Sequence, residues 1–103
     1  MKTTFEEKEN AYVLHFDGRL DTSASTDTER QMQVLYDAFN NESKDIILDC
    51  QNLEYISSSG LRLFLGLLKV AKPKGVDITI TDLSEDIKLV FDETGFTNLF
   101  TFR

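Results

Sequence analysis

The run from Tyr55 to Lys72, Y-I-S-S-S-G-L-R-L-F-L-G-L-L-K-V-A-K, restricts the fold more than any other stretch of the chain. Leu61, Phe64, Leu65 and Leu68 recur at helical spacing, and Leu63, Leu67 and Val70 widen that stripe. A helix from about Ser59 to Lys72 follows, stopped by Pro73 and Gly75. A helix this apolar needs a broad surface to lie on. Ile46-Ile47-Leu48, inside a strand spanning Lys44 to Cys50, supplies one, because a short continuous apolar run is the mark of a central strand. Val76 to Thr81 alternates on the far side of the helix, with Val76, Ile78 and Ile80 inward. Strand, helix and strand in this order imply parallel strands joined by a right-handed crossover.

The flanks extend the same plan. Lys2 to Lys8 reads as a strand, turned by Glu9-Asn10 into Ala11 to Asp17, where Tyr12, Leu14 and Phe16 alternate with Val13, His15 and Asp17. Gly18-Arg19-Leu20-Asp21 then leaves the strand. Thr26-x-x-Glu29 fits a capping box, with Thr22, Ser23 and Ser25 offering earlier starts, and Thr28, Met32, Leu35 and Phe39 give the helix its inner stripe as far as Asn40-Asn41. Ser84 caps a third helix with Glu85 and Asp86 in its first turn; Ile87, Val90 and Phe91 are its buried stripe and Gly95 its end. Leu99 to Arg103 forms a short last strand or a docked tail. The order is ββαβαβα, with or without a final β. Polar Asp49, Asp77 and Thr79 fall on the outer side of the sheet. The predicted fold is therefore α/β: a four- to five-stranded mixed sheet with helices mainly on one face. Residues 1–103 make a single domain, long enough to bury roughly two-thirds of its unfolded surface.

Charge and residue usage remove several classes of function. With 18 acidic against 11 basic residues the net charge is −7, which disfavours nucleic acid and anionic membrane as partners. Cys50 is the only cysteine and lies in phase with Ile46 and Leu48, so it reads as a buried thiol. His15 stands alone and reads as a half-exposed strand residue, without the partners of a metal site or a triad. No Walker loop, G-x-G-x-x-G or paired-carboxylate motif is present, so no catalytic residue, cofactor or metal is expected. The charged Met1 to Glu9 segment lacks a signal peptide's apolar core, and Leu61 to Ala71 is broken by Arg62, Gly66 and Lys69. The expected location is cytoplasmic.

What remains is the entrance to the serine-led helix. In parallel units, sites form in loops at the carboxyl ends of strands. Gly18 to Thr22 and Leu53 to Gly60 are such loops, joined by one crossover, so Asp21 should lie near Ser57, Ser58 and Ser59. A helix start needs one capping hydroxyl, not three. The others are open to an anion or to phosphorylation, which a helix N-terminus tolerates well. Asp21 caps its own helix, adjoins the serine loop, or does both. Gly66, inside the helix, admits close approach by a partner or a neighbouring helix.

Four segments, G-R-L-D at Gly18 to Asp21, D-I-I-L-D at Asp45 to Asp49, L-E-Y-I-S-S-S-G-L-R at Leu53 to Arg62 and F-D-E-T-G-F at Phe91 to Phe96, together resemble a STAS domain of the anti-sigma factor antagonist type. The resemblance implies a partner-switching regulator. Unphosphorylated, such a protein binds an anti-sigma factor that is also a serine kinase, and so frees the sigma factor; phosphorylation releases it, and a metal-dependent serine phosphatase resets it. The family pattern D-S-x-G aligns Ser58 with the phosphoacceptor and puts Ser57 where the family has aspartate, leaving Ser57 as an alternative acceptor and Ser59 as the expected cap. The implied partner-binding surface joins Asp21, Thr22, Ser57, Ser59, Gly60, Arg62 and Gly66. The other role within the same family is a subunit of a larger lipid-transport or stress-signalling assembly, with the serines serving only as caps.

Overall fold

Backbone pairing in the computed structural model, which describes residues 1–103, closes β1 (Lys2–Glu7) on β2 (Ala11–Leu20) as an antiparallel hairpin. α1 (Ser25–Asn41), β3 (Asp45–Ile56), α2 (Ser58–Ala71), β4 (Ile78–Thr81), α3 (Glu85–Glu93) and β5 (Thr101–Phe102) follow. The sheet order is β1-β2-β3-β4-β5, with β2 to β5 mutually parallel. Each crossover steps one strand in the same direction, so connections of one hand bring all three helices to one face.

That face holds the core. Tyr12, Leu14 and Phe16 of β2, Ile46, Leu48 and Cys50 of β3, and Ile78 and Ile80 of β4 meet Met32, Leu35 and Phe39 of α1, Phe64 and Leu67 of α2, and Ile87 and Phe91 of α3. Phe64 lies at the centre, with ring centroids 5.3 Å from Phe16, 6.1 Å from Phe91 and 6.4 Å from Phe100. Phe100 and Phe102 both pack on Phe91, and burying rings of this size stabilises by about 1.5–3 kcal/mol each. The tail therefore docks, and β5 is a short strand that the Arg103 amide extends by donating to Ile80 O at 2.9 Å. The opposite face of the sheet carries Glu6, His15, Asp49 and Thr79 and no helix. Val13 is buried even there, flanked in register by Glu6 and Ile47.

Four local expectations are corrected. β2 does not end at Asp17: Gly18, Arg19 and Leu20 stay paired with Leu53, Tyr55 and Ile56 through two register shifts, with Gly18 at φ 110°. Positive φ is accessible to glycine without a Cβ penalty, so the strand bulges where another residue would end it. β3 likewise continues past Cys50 to Ile56. The capping box does not form: α1 begins at Ser25 behind Ala24, which makes no side-chain cap. Val76 is half-buried ahead of β4, because the Lys72–Lys74 turn and left-handed Gly75, at φ 70°, delay the strand to Ile78.

Candidate functional site

The extended β2 and β3 carry both loops to one level. Leu20 pairs with Ile56, and the Ser57 amide donates to Leu20 O at 2.8 Å, so the Asp21 and serine loops are joined by a backbone bond. The neighbourhood expected from topology is present.

Within the serine loop the three hydroxyls are not equivalent. Ser57 has extended backbone (φ −88°, ψ 171°), and its Oγ accepts from the Gly60 amide at 3.2 Å. Ser57 is thus the cap of α2, in place of the expected Ser59. The reason is that β3 persists to Ile56, which starts the helix one residue earlier. Ser57 is buried, Ser59 is half-buried, and Ser58, the first helical residue, is exposed. Gly60 is buried and faces the core: a Cβ there would lie 2.8 Å from Leu20 Cγ and 2.9 Å from Ile56 Cγ1. Its lack of a side chain lets α2 sit directly on the two strand ends.

Around Ser58 the electrostatics are asymmetric. α2 has no acidic residue in its first turn, whereas α1 has Asp27 and α3 has Glu85 and Asp86. The positive end of the α2 dipole therefore has no carboxylate in its own first turn to compensate it. Arg62, four residues after Ser58 and on the same side of the helix, is exposed and forms no ion pair within the chain.

Asp21 adjoins the serine loop and caps the turn that leads into α1, one step ahead of the helix itself. Its Oδ1 accepts from the Ser23 hydroxyl at 2.8 Å and the Ala24 amide at 2.9 Å, while it adjoins the serine loop through Leu20. Those bonds, Ser23 first, hold its carboxyl below the usual range. Thr22 is exposed beside it. A cleft of about 510 Å³ opens here between Arg19, Asp21, Asp27 and Glu54. Arg19 sits 4.4 Å above the ring of Tyr55, which is 40% exposed; this stacked pair went unforeseen because the bulge that sets its register has no signal beyond Gly18. Gly66 faces α1, where a Cβ would meet the Tyr36 hydroxyl at 3.5 Å, an ordinary contact. Its close neighbour is a helix of the same chain.

Two groups lie apart from the site. His15 bridges Asp49 through Nδ1 at 2.7 Å and Glu6 through Nε2 at 2.8 Å on the open sheet face. Its pKa is raised, first by Glu6 and then by Asp49. Asp49 was legible as outward-facing, but Glu6 and the register of both with His15 were not. Cys50 is buried, and burial pushes its thiol pKa up.

The STAS domain family model matches residues 2–103. The chain belongs to the STAS family. This STAS domain is 29% identical over 99 residues to the anti-sigma-B factor antagonist of Staphylococcus aureus, covering 96% of this chain and 87% of that one. Among solved structures, the phosphorylated form of the Bacillus cell fate determinant SpoIIAA superposes with a TM-score of 0.74 at 19% identity, over 99% of this chain and 91% of that one. A serine-to-glutamate variant of RsbS from Moorella thermoacetica gives 0.78 at 12% identity, over 100% and 86%. At these identities the structures establish the fold, and the STAS domain shares the five-stranded mixed sheet and three helices. None of its helices is long and apolar enough to cross a membrane.

Proposed function

We propose that this STAS domain is an anti-sigma factor antagonist that works by partner switching in the cytoplasm, as a binding module and not an enzyme. Unphosphorylated, it holds an anti-sigma factor that is also a serine kinase, through the surface formed by Asp21, Thr22, Ser58, Ser59 and Arg62. Phosphorylation of Ser58 releases that partner, and a serine phosphatase restores binding.

One observation carries the reading. Ser58 is the exposed hydroxyl of the three, at the only α-helix N-terminus whose first turn lacks a carboxylate. A phosphate there gains about 0.3–1 kcal/mol from the dipole in the free domain, with Arg62 one turn away to pair with it. Buried against a partner, the same phosphate must be desolvated near Asp21 and Glu54. The switch is then a change of affinity and not of fold. A coupling of about 1–3 kcal/mol weakens binding roughly 5- to 150-fold. Ser57 is the poorer acceptor, because its hydroxyl is buried and engaged with Gly60.

The test is recovery of the tagged domain from its native cells, identification of bound kinase, and mapping of phosphate after ATP is added. Label on Ser58, with Ser58→Ala retaining the kinase and Ser58→Asp losing affinity, is the expected result. No phosphate on Ser57 to Ser59, with stable co-purification of transport or stress-complex subunits, would instead make the domain a fixed component of an assembly.

A further inference from the structure

The two edges of the sheet are unlike. β5 is two residues long, while β1 offers six, Lys2-Thr3-Thr4-Phe5-Glu6-Glu7, with no proline and no bulge. Edge strands are ordinarily blunted by such devices or covered. The Lys8 amide donates to Ala11 O at 2.8 Å, in line with the Lys2–Asp17 and Glu6–Val13 register. In an antiparallel ladder this assigns the even residues' backbone groups to β2 and leaves the N–H and C=O of Thr3, Phe5 and Glu7 pointing outward. Side chains divide by the same parity. Thr3 bonds Thr28 and Phe5 stacks on Tyr12 on the helix face, whereas Glu6 meets His15 on the open face, shared by Lys2 and Thr4.

We infer that β1 pairs antiparallel with β1 of a second copy, about a two-fold axis at Thr4. A two-fold normal to the sheet keeps each face continuous, so residues of equal parity must oppose. Two registers satisfy that rule with most of the strand paired. Centred on Phe5, Lys2 would oppose Lys8, a like-charge pair. Centred on Thr4, Lys2 opposes Glu6 twice and Thr3 opposes Phe5 twice, so the strand is complementary to itself in both charge and shape. Lys2 is exposed and forms no ion pair within the chain, and Glu6 uses Oε1 for His15, leaving its other oxygen free. α1 supports the same arrangement. At 100° per residue, Val34 and Ala38 lie on the flank opposite Gln33 and Tyr36, which line the groove toward α2. Val34 is 46% exposed, and in the pair it comes alongside the α1 of the second copy.

The product is a continuous ten-stranded sheet with its two serine doorways at opposite ends, both free to engage a partner. A single strand pair is a small interface, so the dissociation constant should be on the order of 0.1 mM. Sedimentation equilibrium between about 10 µM and about 1 mM spans that range and reads it directly. The wild type should pass from the 11.8 kDa monomer to a dimer. Lys2→Glu should weaken pairing by roughly tenfold, and the reciprocal swap Lys2→Glu with Glu6→Lys should restore it. Thr3→Pro, which deletes an amide unused within the monomer, should abolish pairing, with circular dichroism melts confirming the fold. If that variant fails to fold, the charge swap decides alone. A mass that stays monomeric throughout, or a dimer indifferent to Lys2→Glu, overturns the proposal.

Discussion

The entrances to α1 and α2 solve one problem in two ways. Both helices leave the carboxyl end of a strand and both must satisfy orphan amides. At α1 a charged side chain does so from the preceding turn: Asp21 accepts from the Ala24 amide and the Ser23 hydroxyl, and Asp27 adds a second carboxylate in the first turn of the helix. At α2 a neutral hydroxyl does so: Ser57 accepts from Gly60, and no carboxylate follows. One doorway is electrostatically finished. The other is capped but left positive, with an exposed serine beside it. A site that is to receive a charge needs the second kind.

Substitution at Gly60 should separate the two doorways most sharply. The amide bonded to the α1 cap belongs to Ala24, which carries its Cβ without difficulty, whereas a Cβ at Gly60 meets Leu20 and Ile56 at 2.8–2.9 Å. Gly60→Ala is therefore expected to cost about 1–3 kcal/mol by overpacking. Gly66→Ala in the same helix has only the Tyr36 hydroxyl at 3.5 Å to meet and should gain up to about 1 kcal/mol. Urea unfolding of the two variants checks this; equal effects would mean that α2 can move off the strand ends.

Removing the caps comes next in size. Ser57→Ala should cost about 0.5–2 kcal/mol, and Asp21→Ala should destabilise more because Asp21 holds two donors. Denaturation midpoints decide the order. A Ser57→Ala domain as stable as wild type would show that Ser59 can take over the cap, the role the sequence suggested for it.

That misassignment marks where the sequence stopped being legible. Hydrophobic period gave the elements and the inner stripes of α1 and α2 because burial is periodic, the strand-helix alternation gave the parallel strands, and polar Asp49, Asp77 and Thr79 gave the one-sided sheet because a face without helices meets water. The juxtaposition of Asp21 with the serines followed from topology alone. What period cannot supply is the end of a strand. β2 and β3 each run past the point where alternation fades, held by the Gly18 bulge and by their pairing to one another. Those extra residues move the α2 cap from Ser59 to Ser57 and turn Gly60 into the core. The tie of His15 to Glu6 and Asp49 was illegible for the same reason, since it depends on register across three strands.

Ser57→Asp converts the neutral doorway toward the charged one and has a smaller expected effect. Aspartate caps as well as serine and adds a carboxylate to an uncompensated dipole, so the free domain should gain about 0.3–1 kcal/mol. If Ser58 accepts phosphate, the added charge should also reduce the stabilisation that phosphate brings. Melting phosphorylated and unphosphorylated forms on each background reads that interaction as a double-mutant cycle. No gain in either comparison would mean that the positive end of α2 is already screened by solvent.

The smallest expected difference is in pH dependence, and it concerns sign more than size. Asp21 has its folded pKa depressed, so the native state binds fewer protons than the unfolded state between the two values. Its contribution is present above the unfolded value of about 3.9 and is lost as pH falls through the folded one. Ser57 itself carries no titratable group. Asp21→Asn should therefore flatten the acid limb of the stability profile, while Ser57→Ala lowers the whole profile without changing its shape. His15 behaves in the opposite sense: its raised pKa gives a contribution fully present below about 6.5 that is lost as pH rises through the folded value. His15→Gln should remove that decline and, because the bond to His15 is the main cause of the lowered Glu6 pKa, should also reduce the Glu6 share of the acid limb, leaving that limb mainly to Asp21. Urea midpoints across the acid and neutral ranges separate the two limbs. An acid limb unchanged by Asp21→Asn would show that the α1 doorway draws its stability from geometry and not from charge, and the contrast with α2 would then lie in shape alone.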